Sequence, residues 1–345
     1  MKWRDKMIIA YQSSELFSSI CMVSLCSLLE NNKGEAEMYI YILSKDFSDN
    51  SLQLVKDMLE RAGYNRDNAF IVDISDLDKR FDICFDNYNG KWGIDSFCKL
   101  LLGKLLPENV HRVLYLDSDT IVCRDIHDFY NIDMGNCAVA AVKDFISKEY
   151  FELLGLSDTD VYCNSGVILY DLDKWRELEL ENEISILLKQ RNGCIFFSEQ
   201  SVLNIVAKKI IKVVGLEYNL TSIPVCLSWR EIQLLRHPYN SYEEQEIYRA
   251  IKDPAIIHFT SLFVINGRAW NIDNNHPLKK YFDKYANQVL SFKYSDVSKD
   301  KHRIFFICKL FLSPLLFFVI GNYYRNGRIK KYKKYMRLAS QNKEK

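Results

Sequence analysis

The segment Val113–Val122, VLYLDSDTIV, closes a run of four apolar residues with Asp117-Ser118-Asp119. Two carboxylates one residue apart at a strand end can share one hard divalent cation, Mg²⁺ or Mn²⁺, with waters and phosphate oxygens completing its shell. A bare D-x-D is more often a pair of solvated turn aspartates. Here the buried strand in front of it favours the metal, because α/β folds bind ligands at the carboxyl edge of the sheet. Other polar residues stand at similar strand ends: Asp144 after the apolar run Cys137–Val142, Asn164 with Gly166 in CNSG, and His258 in IIHFTS. Alone, each has an ordinary reading. Asp144 could be a turn or cap residue, Gly166 a bulge, and His258 a buried histidine. Glu199-Gln200 could simply open a helix with an acid in its first turn.

The elements that must position these groups alternate in type. An apolar run Met7–Tyr11 precedes a helical pattern at Leu16, Ile20, Val23 and Leu28, ending at Asn31–Gly34. A strand at Met38–Leu43, a helix at Leu52–Leu59 stopping at Gly63, and a strand at Phe70–Ile74 complete β-α-β-α-β. This alternation predicts an α/β fold with a mainly parallel sheet and right-handed crossovers. Phe97–Leu106 reads as a helix ended by Pro107, and Arg112–Leu116 as a buried strand. Further strands are expected at Ala138–Val142, Gly166–Tyr170, Ile211–Val214 and Ala255–Phe259, with helices around Leu172–Lys189 and Glu199–Lys209. From about 285 the pattern gives way to a polar connector, so the expected division is 1–285, 286–303 and 304–345.

The 345 residues are 48% hydrophobic and 26% charged, which excludes a disordered or low-complexity chain. The net charge of +1 conceals an asymmetry: residues 301–345 hold 12 Lys/Arg against the single acid Glu344. A mildly acidic globule therefore carries a basic appendage suited to an anionic surface. The ten cysteines form no C-x-x-C pair and no Cys/His cluster at zinc spacing. They read as free thiols in a reducing compartment. MKWRDKMIIAYQ has too few apolar residues for a signal peptide, so the catalytic part is expected in the cytoplasm.

Paired aspartates after a strand also occur in haloacid dehalogenase-type hydrolases. Their pattern places Thr or Val two residues beyond the second Asp, whereas Thr120 follows Asp119 directly and the motif lies far from the N-terminus. The chain instead resembles the family 8 glycosyltransferases, the retaining, sugar-nucleotide-dependent group that includes bacterial lipopolysaccharide galactosyl- and glucosyltransferases and glycogenin. Five segments carry the resemblance in order: SLCSLLENN (Ser24–Asn32), VLYLDSDTIV, CNSGVILYDLDKWR (Cys163–Arg176), SEQSVLN (Ser198–Asn204) and IIHFTS…RAW (Ile256–Trp270).

The resemblance implies a nucleotide-binding, Rossmann-like sheet of the GT-A type and a UDP-sugar donor. It implies an Mn²⁺ or Mg²⁺ ion on Asp117, Asp119 and His258, with Ser118 beside the donor. Asn164 and Asp144 would hold the donor sugar, and Glu199-Gln200 would lie close to the anomeric carbon. The family usually has Asp where this chain has Glu199. Lys99 and Arg268 would contact the diphosphate, Lys99 where the best-known members carry Arg. Arg268-Ala269-Trp270 stands where Lys-Pro-Trp is usual. The base-reading A-x-D-x-N-Y segment is here Ala10-Tyr11-Gln12-Ser13-Ser14, in which Tyr11 would stack a base and Gln12 bond its edge.

In the tail, Ile304–Ile320 is a 17-residue stretch with one charge, Lys309, and one proline, Pro314. It is short for a membrane span. The polybasic, tyrosine-interleaved Arg325–Arg337 follows. Together they predict an interfacial or re-entrant anchor on the inner face of the membrane, bent at Pro314. The same helix could alternatively belong to the core of the globule. A nucleic-acid-binding tail would not need its phenylalanines, so no nucleic-acid partner is expected. Catalysis is expected to survive removal of 301–345. The expected activity is hexosyl transfer, glucose or galactose, to a saccharide or lipid-linked saccharide. The alternative is a membrane-associated nucleotide-sugar-binding protein of the same fold without turnover.

Overall fold

Runs that are apolar on both faces become the central strands. β1 (Lys6–Gln12), β2 (Glu37–Ser44) and β4 (Arg112–Asp117) are buried almost throughout, as strands covered by helices on both sides must be. With β3 (Ala69–Asp73), β6 (Val139–Lys143), β7 (Cys163–Asp171) and β8 (Ile211–Val213) they form a seven-stranded sheet in the order β3-β2-β1-β4-β7-β6-β8. Only β7 runs against its neighbours. The computed structural model describes residues 6–34, 37–80, 94–191, 193, 195–262, 264–296 and 314–341.

The crossovers α1 (Ser18–Asn31) and α2 (Asp49–Arg61) join the first three strands. The Ser48 hydroxyl caps α2 by accepting from the Ser51 N–H. Two hydrophobic clusters cover opposite faces of the sheet, one around Ile9, Leu28 and Leu116, the other around Ala10, Leu102, Tyr115 and Trp175. The strand order reverses between β1 and β4, which opens a crevice at their carboxyl ends. A second sheet, β5 (Thr120–Val122), β10 (Ile256–His258) and β9 (Leu220–Thr221), in the order β5-β10-β9, stands directly beyond it.

Three predicted elements differ. Residues 97–106 do not form one helix but a 3-10 stretch, Ile94–Leu100, and a single turn, Leu102–Leu105. Phe97, Cys98, Leu100, Leu101 and Leu102 are all buried, so all-round burial rather than helical periodicity governs this segment. The helix over 172–189 breaks in two at Glu179, whose φ is 48°. β7 begins at Cys163, three residues earlier than expected, which places Asn164 within the strand.

In the tail, the described helix runs Pro314–Gln341, and the expected bend at Pro314 involves 304–313, outside the described residues. This helix packs on the helix Trp229–Arg236. Gly321 lies so close that a Cβ there would be 2.8 Å from the Leu235 carbonyl oxygen. Tyr332, on the same helix, is buried with Ile146, Tyr150, Phe151 and Phe196. The first part of the expected apolar anchor, 304–313, lies outside the described residues, as do residues 297–303 of the expected connector. Among the described residues, no helix is long and apolar enough to cross a membrane, and the cysteines are free.

Candidate active site

β1 and β4 end side by side with Gln12 in register with Asp117. The chain turns at Ser118, whose hydroxyl donates to the Gln12 carbonyl at 2.8 Å. Thr120 then enters β5, opposite His258 on β10, and the Phe259 N–H donates to the Asp119 carbonyl at 2.9 Å. These pairings bring Asp117, Asp119 and His258 together, their ligand atoms all within 4.8 Å of one another.

Each carboxylate has one oxygen engaged by the protein. Asp117 Oδ1 accepts from Lys99 Nζ and from the Tyr115 hydroxyl, both at 2.8 Å. Asp119 Oδ2 accepts from Arg268 at 3.1 Å. The other oxygens face the imidazole, Asp119 Oδ1 at 3.0 Å and Asp117 Oδ2 at 3.7 Å from His258 Nε2. Burial disfavours charge on Asp119, yet His258 and then Arg268 hold its pKa at about 2. Burial likewise opposes charge on His258, but Asp119 and Asp117 outweigh it and raise its pKa. Lys99 is desolvated too, and Asp117 and Glu199 overcome that and raise its pKa. Burial keeps the Tyr115 hydroxyl protonated, well above its ordinary value.

The donor set fits a divalent ion. Two carboxylates and an imidazole suit Mn²⁺, and oxygen-rich sites also accept Mg²⁺. His258 Nδ1 is 3.0 Å from Asn219 Oδ1. The Asn219 amide is oriented by its other end, which donates to Asn164 Oδ1 at 2.9 Å. An Asn carbonyl only accepts, so Nδ1 carries the proton and Nε2 is left toward the carboxylates, the usual support of a ligating histidine. Gly166 leaves the space: a Cβ there would press into the His258 ring and lie 3.0 Å from Asp117 Oδ2.

The same hydrogen bonds continue to Gln200, on the helix Ser198–Val206. Asn164 Nδ2 and the Ser165 N–H donate to Gln200 Oε1 at 3.1 and 3.2 Å. Gln200 Nε2 donates to Asp144 Oδ2 at 2.9 Å and to the Tyr162 hydroxyl at 3.2 Å. A carboxylate can only accept, so Asp144 fixes which end of the amide faces the cleft. Glu199 Oε1 lies 4.0 Å from Lys99 Nζ and 3.5 Å from the Ser165 hydroxyl, while its Oε2 is buried without a protein partner.

The cleft between the two sheets has a volume of about 740 Å³. Gln12, Lys99, Ser118, Asn164, Glu199, Gln200 and Arg268 line it together with the three candidate ligands. Asp144 stands behind Gln200. Ala10 and Tyr11 are a correction: both are fully buried, on opposite faces of the sheet. The Tyr11 ring packs in the core and its hydroxyl accepts from Ser24 at 3.3 Å, so it offers no face to a base. Phe17 and Trp270 supply aromatic surface at the cleft instead. Asn219, Tyr162 and Tyr115 were missed. Tyr115 was legible, since residues two apart on a strand share a face and it must lie beside Asp117. Asn219 and Tyr162 carry no local signal.

A carboxylate pair and an imidazole that could hold a cation stand at the switch point of a mainly parallel α/β sheet, facing an oriented amide. The chain belongs to Glycosyl transferase family 8, whose profile matches residues 8–271. General stress protein A of Bacillus subtilis (strain 168) is 25% identical over 193 residues, 55% of this chain and 62% of that one. The lipopolysaccharide 1,2-glucosyltransferase of Escherichia coli (strain K12) is 25% identical over 200 residues, 57% of each. The matched region thus spans only about three fifths of these curated relatives' length. The crystal structure of the galactosyltransferase LgtC in complex with donor and acceptor sugar analogs superposes with a TM-score of 0.65 at 19% identity. That match covers 83% of this chain and 97% of LgtC, and the shared fold is the GT-A fold.

Proposed function

We propose that this protein is a retaining hexosyltransferase that moves glucose or galactose from a UDP-sugar to a saccharide acceptor, in cell-surface polysaccharide or lipopolysaccharide synthesis. One observation carries the reading. The candidate metal site and the Gln200 amide are joined by one chain of hydrogen bonds, His258–Asn219–Asn164–Gln200–Asp144. The groups that would hold a diphosphate and those that would face the anomeric carbon are thereby fixed relative to each other.

A divalent ion on Asp117, Asp119 and His258 would act as a Lewis acid on the departing diphosphate. Arg268 adds a guanidinium on the same side, and Lys99 neutralises the inner oxygen of Asp117. Gln200 Oε1, aimed by Asp144, places a partial negative charge where positive charge develops as the glycosidic bond breaks, a preoriented dipole of the kind that dominates transition-state stabilisation. Asn164 and Glu199 position sugar hydroxyls, and the unpartnered Oε2 of Glu199 is an acceptor in want of such a donor. Gln12 bonds the base edge. The polybasic helix holds the enzyme on the inner face of the membrane, where a lipid-linked saccharide is the acceptor.

Purified protein given UDP-glucose or UDP-galactose with Mn²⁺ releases UDP slowly, and Asp119→Ala removes this release. Inactivity of the wild type with every common nucleotide sugar overturns the reading. Tight metal-dependent UDP-sugar binding without release would mark a binding protein of the same fold.

A further inference from the structure

Glu199 and Gln200 reach the cleft from two consecutive residues in left-handed backbone, Phe197 with φ 60° and Ser198 with φ 57°. Neither is glycine. Such a conformation is uncommon for a residue with a Cβ and persists only where the surroundings over-determine it. The surroundings here are aromatic. The rings of Phe196 and Phe197 lie 4.3 Å apart, and Tyr150 packs on both at 4.9 and 5.3 Å. The outer wall comes from the C-terminal helix. Tyr332 meets Phe196 edge-on at 5.4 Å, and the Arg328 guanidinium sits 5.8 Å from the Phe197 ring. Tyr332 is 6% exposed, and neither it nor Arg328 lines the cleft.

We propose that the C-terminal helix positions the reaction centre: Tyr332, assisted by Arg328, clamps Phe196–Phe197 in the left-handed turn that aims the Gln200 amide. The inference rests on the role given to Gln200 above. The ligands Asp117, Asp119 and His258 come from β4, the turn after it and β10, and His258 is linked to Gln200 indirectly, through Asn219 and Asn164. Releasing the clamp therefore slows turnover while leaving the diphosphate site intact.

The test uses full-length Tyr332→Ala, Tyr332→Phe and Arg328→Ala. UDP-release kinetics, calorimetry of UDP with Mn²⁺, and amide hydrogen exchange over 196–204 are measured for each. Tyr332→Ala should lower kcat by about tenfold or more, because small misplacements of a positioned group cost up to about a hundredfold. Donor KM and UDP·Mn²⁺ affinity should stay within about twofold, and exchange over 196–204 should rise. Tyr332→Phe keeps the ring edge and should retain a kcat closer to wild type than that of Tyr332→Ala. Arg328 is exposed, so Arg328→Ala folds whether or not Tyr332→Ala does, and it should show a smaller change of the same kind. Unchanged kcat and unchanged exchange in Tyr332→Ala and Arg328→Ala overturn the proposal, as does loss of UDP·Mn²⁺ affinity in step with kcat. A wild type that releases no UDP defeats the functional reading instead, and exchange over 196–204 then decides the clamp alone.

Discussion

Gly166→Ala perturbs the candidate metal site through a residue that contributes no side chain to it. The added Cβ would overlap Cε1 and Nδ1 of His258 and approach Asp117 Oδ2 to 3.0 Å. Carbon atoms pack at about 3.5–4.0 Å, so the ring must retreat by about an ångström or more. It cannot do so and keep its partners, since Nδ1 is 3.0 Å from Asn219 and Nε2 3.0 Å from Asp119. A stretch of that size takes either contact out of hydrogen-bond range. Losing a hydrogen bond to a charged group costs about 1.5–3 kcal/mol, which agrees with the usual cost of overpacking. At about 2–4 °C per kcal/mol for a large domain, the metal-free protein should melt several degrees lower. The same displacement moves one of three ligands out of place, and disturbances of this kind weaken metal binding by about 10–100-fold. Titrating UDP release with Mn²⁺, alongside melting curves with and without the ion, reads both effects. The half-saturating Mn²⁺ concentration should rise by about tenfold or more, and Mn²⁺ should raise the variant's melting temperature less than the wild type's. A folded Gly166→Ala protein with wild-type Mn²⁺ dependence would refute the ligand assignment.

Asn219→Ala leaves His258 Nδ1 and Asn164 Oδ1 without their common partner, so Mn²⁺ affinity should fall by about tenfold and kcat should fall with it. Asp144→Ala removes the charged acceptor of the Gln200 amide nitrogen and leaves it the more distant Tyr162 hydroxyl. It should lower kcat by about 10–100-fold with little change in donor KM, the signature of an interaction made in the transition state. Glu181, on the helix Leu180–Gln190, is buried, and that burial, only partly offset by the Lys104 N–H donating to it at 3.2 Å, raises its pKa to about 7. A carboxyl whose folded pKa is raised contributes stability that is fully present below about pH 4.5 and is lost as pH rises toward 7. Glu181→Gln should therefore be more stable than wild type at pH 7.5, by roughly 3 kcal/mol at about 1.4 kcal/mol per pH unit. Its denaturation midpoint should no longer fall between pH 4.5 and 7, and equal pH profiles for the two proteins would contradict this.

How much of the site was legible depends on whether its residues are neighbours in sequence or only in space. Asp117 and Asp119 announce themselves because a strand's apolar run, its end and both carboxylates fall within ten consecutive residues. Lys99, Asn164, Glu199, Gln200, His258 and Arg268 were reached through family resemblance, and all of them line one cleft. Asn219 could not be reached by either route. Its importance comes from β10 pairing with β9, which sets the residue just before β9 against His258, and that pairing joins segments with no common pattern. Tyr11 failed for a related reason. It is a strand-end aromatic, but alternation along β1 turns it to the core and leaves Gln12 at the cleft.

The tail shows the opposite limit, a segment whose composition is informative and whose contacts are not. Its charge and phenylalanines are properties of composition alone, and from them the appendage is expected to be dispensable for catalysis. Composition does not report which face is already covered. Gly321, Arg325, Ile329 and Tyr332 recur at spacings of four, four and three, one stripe of a helix, and each is buried or half-buried in the structure. Tyr323, Asn326, Arg328 and Lys330 are exposed. The stripe faces the helix Trp229–Arg236 and the Phe196 cluster, leaving most of the cations on the outer side. One helix can thus meet an anionic surface with its basic face while its buried face rests against the turn that carries Gln200. Of the exposed cations named here only Arg328, which also meets the Phe197 ring, belongs to both proposed roles.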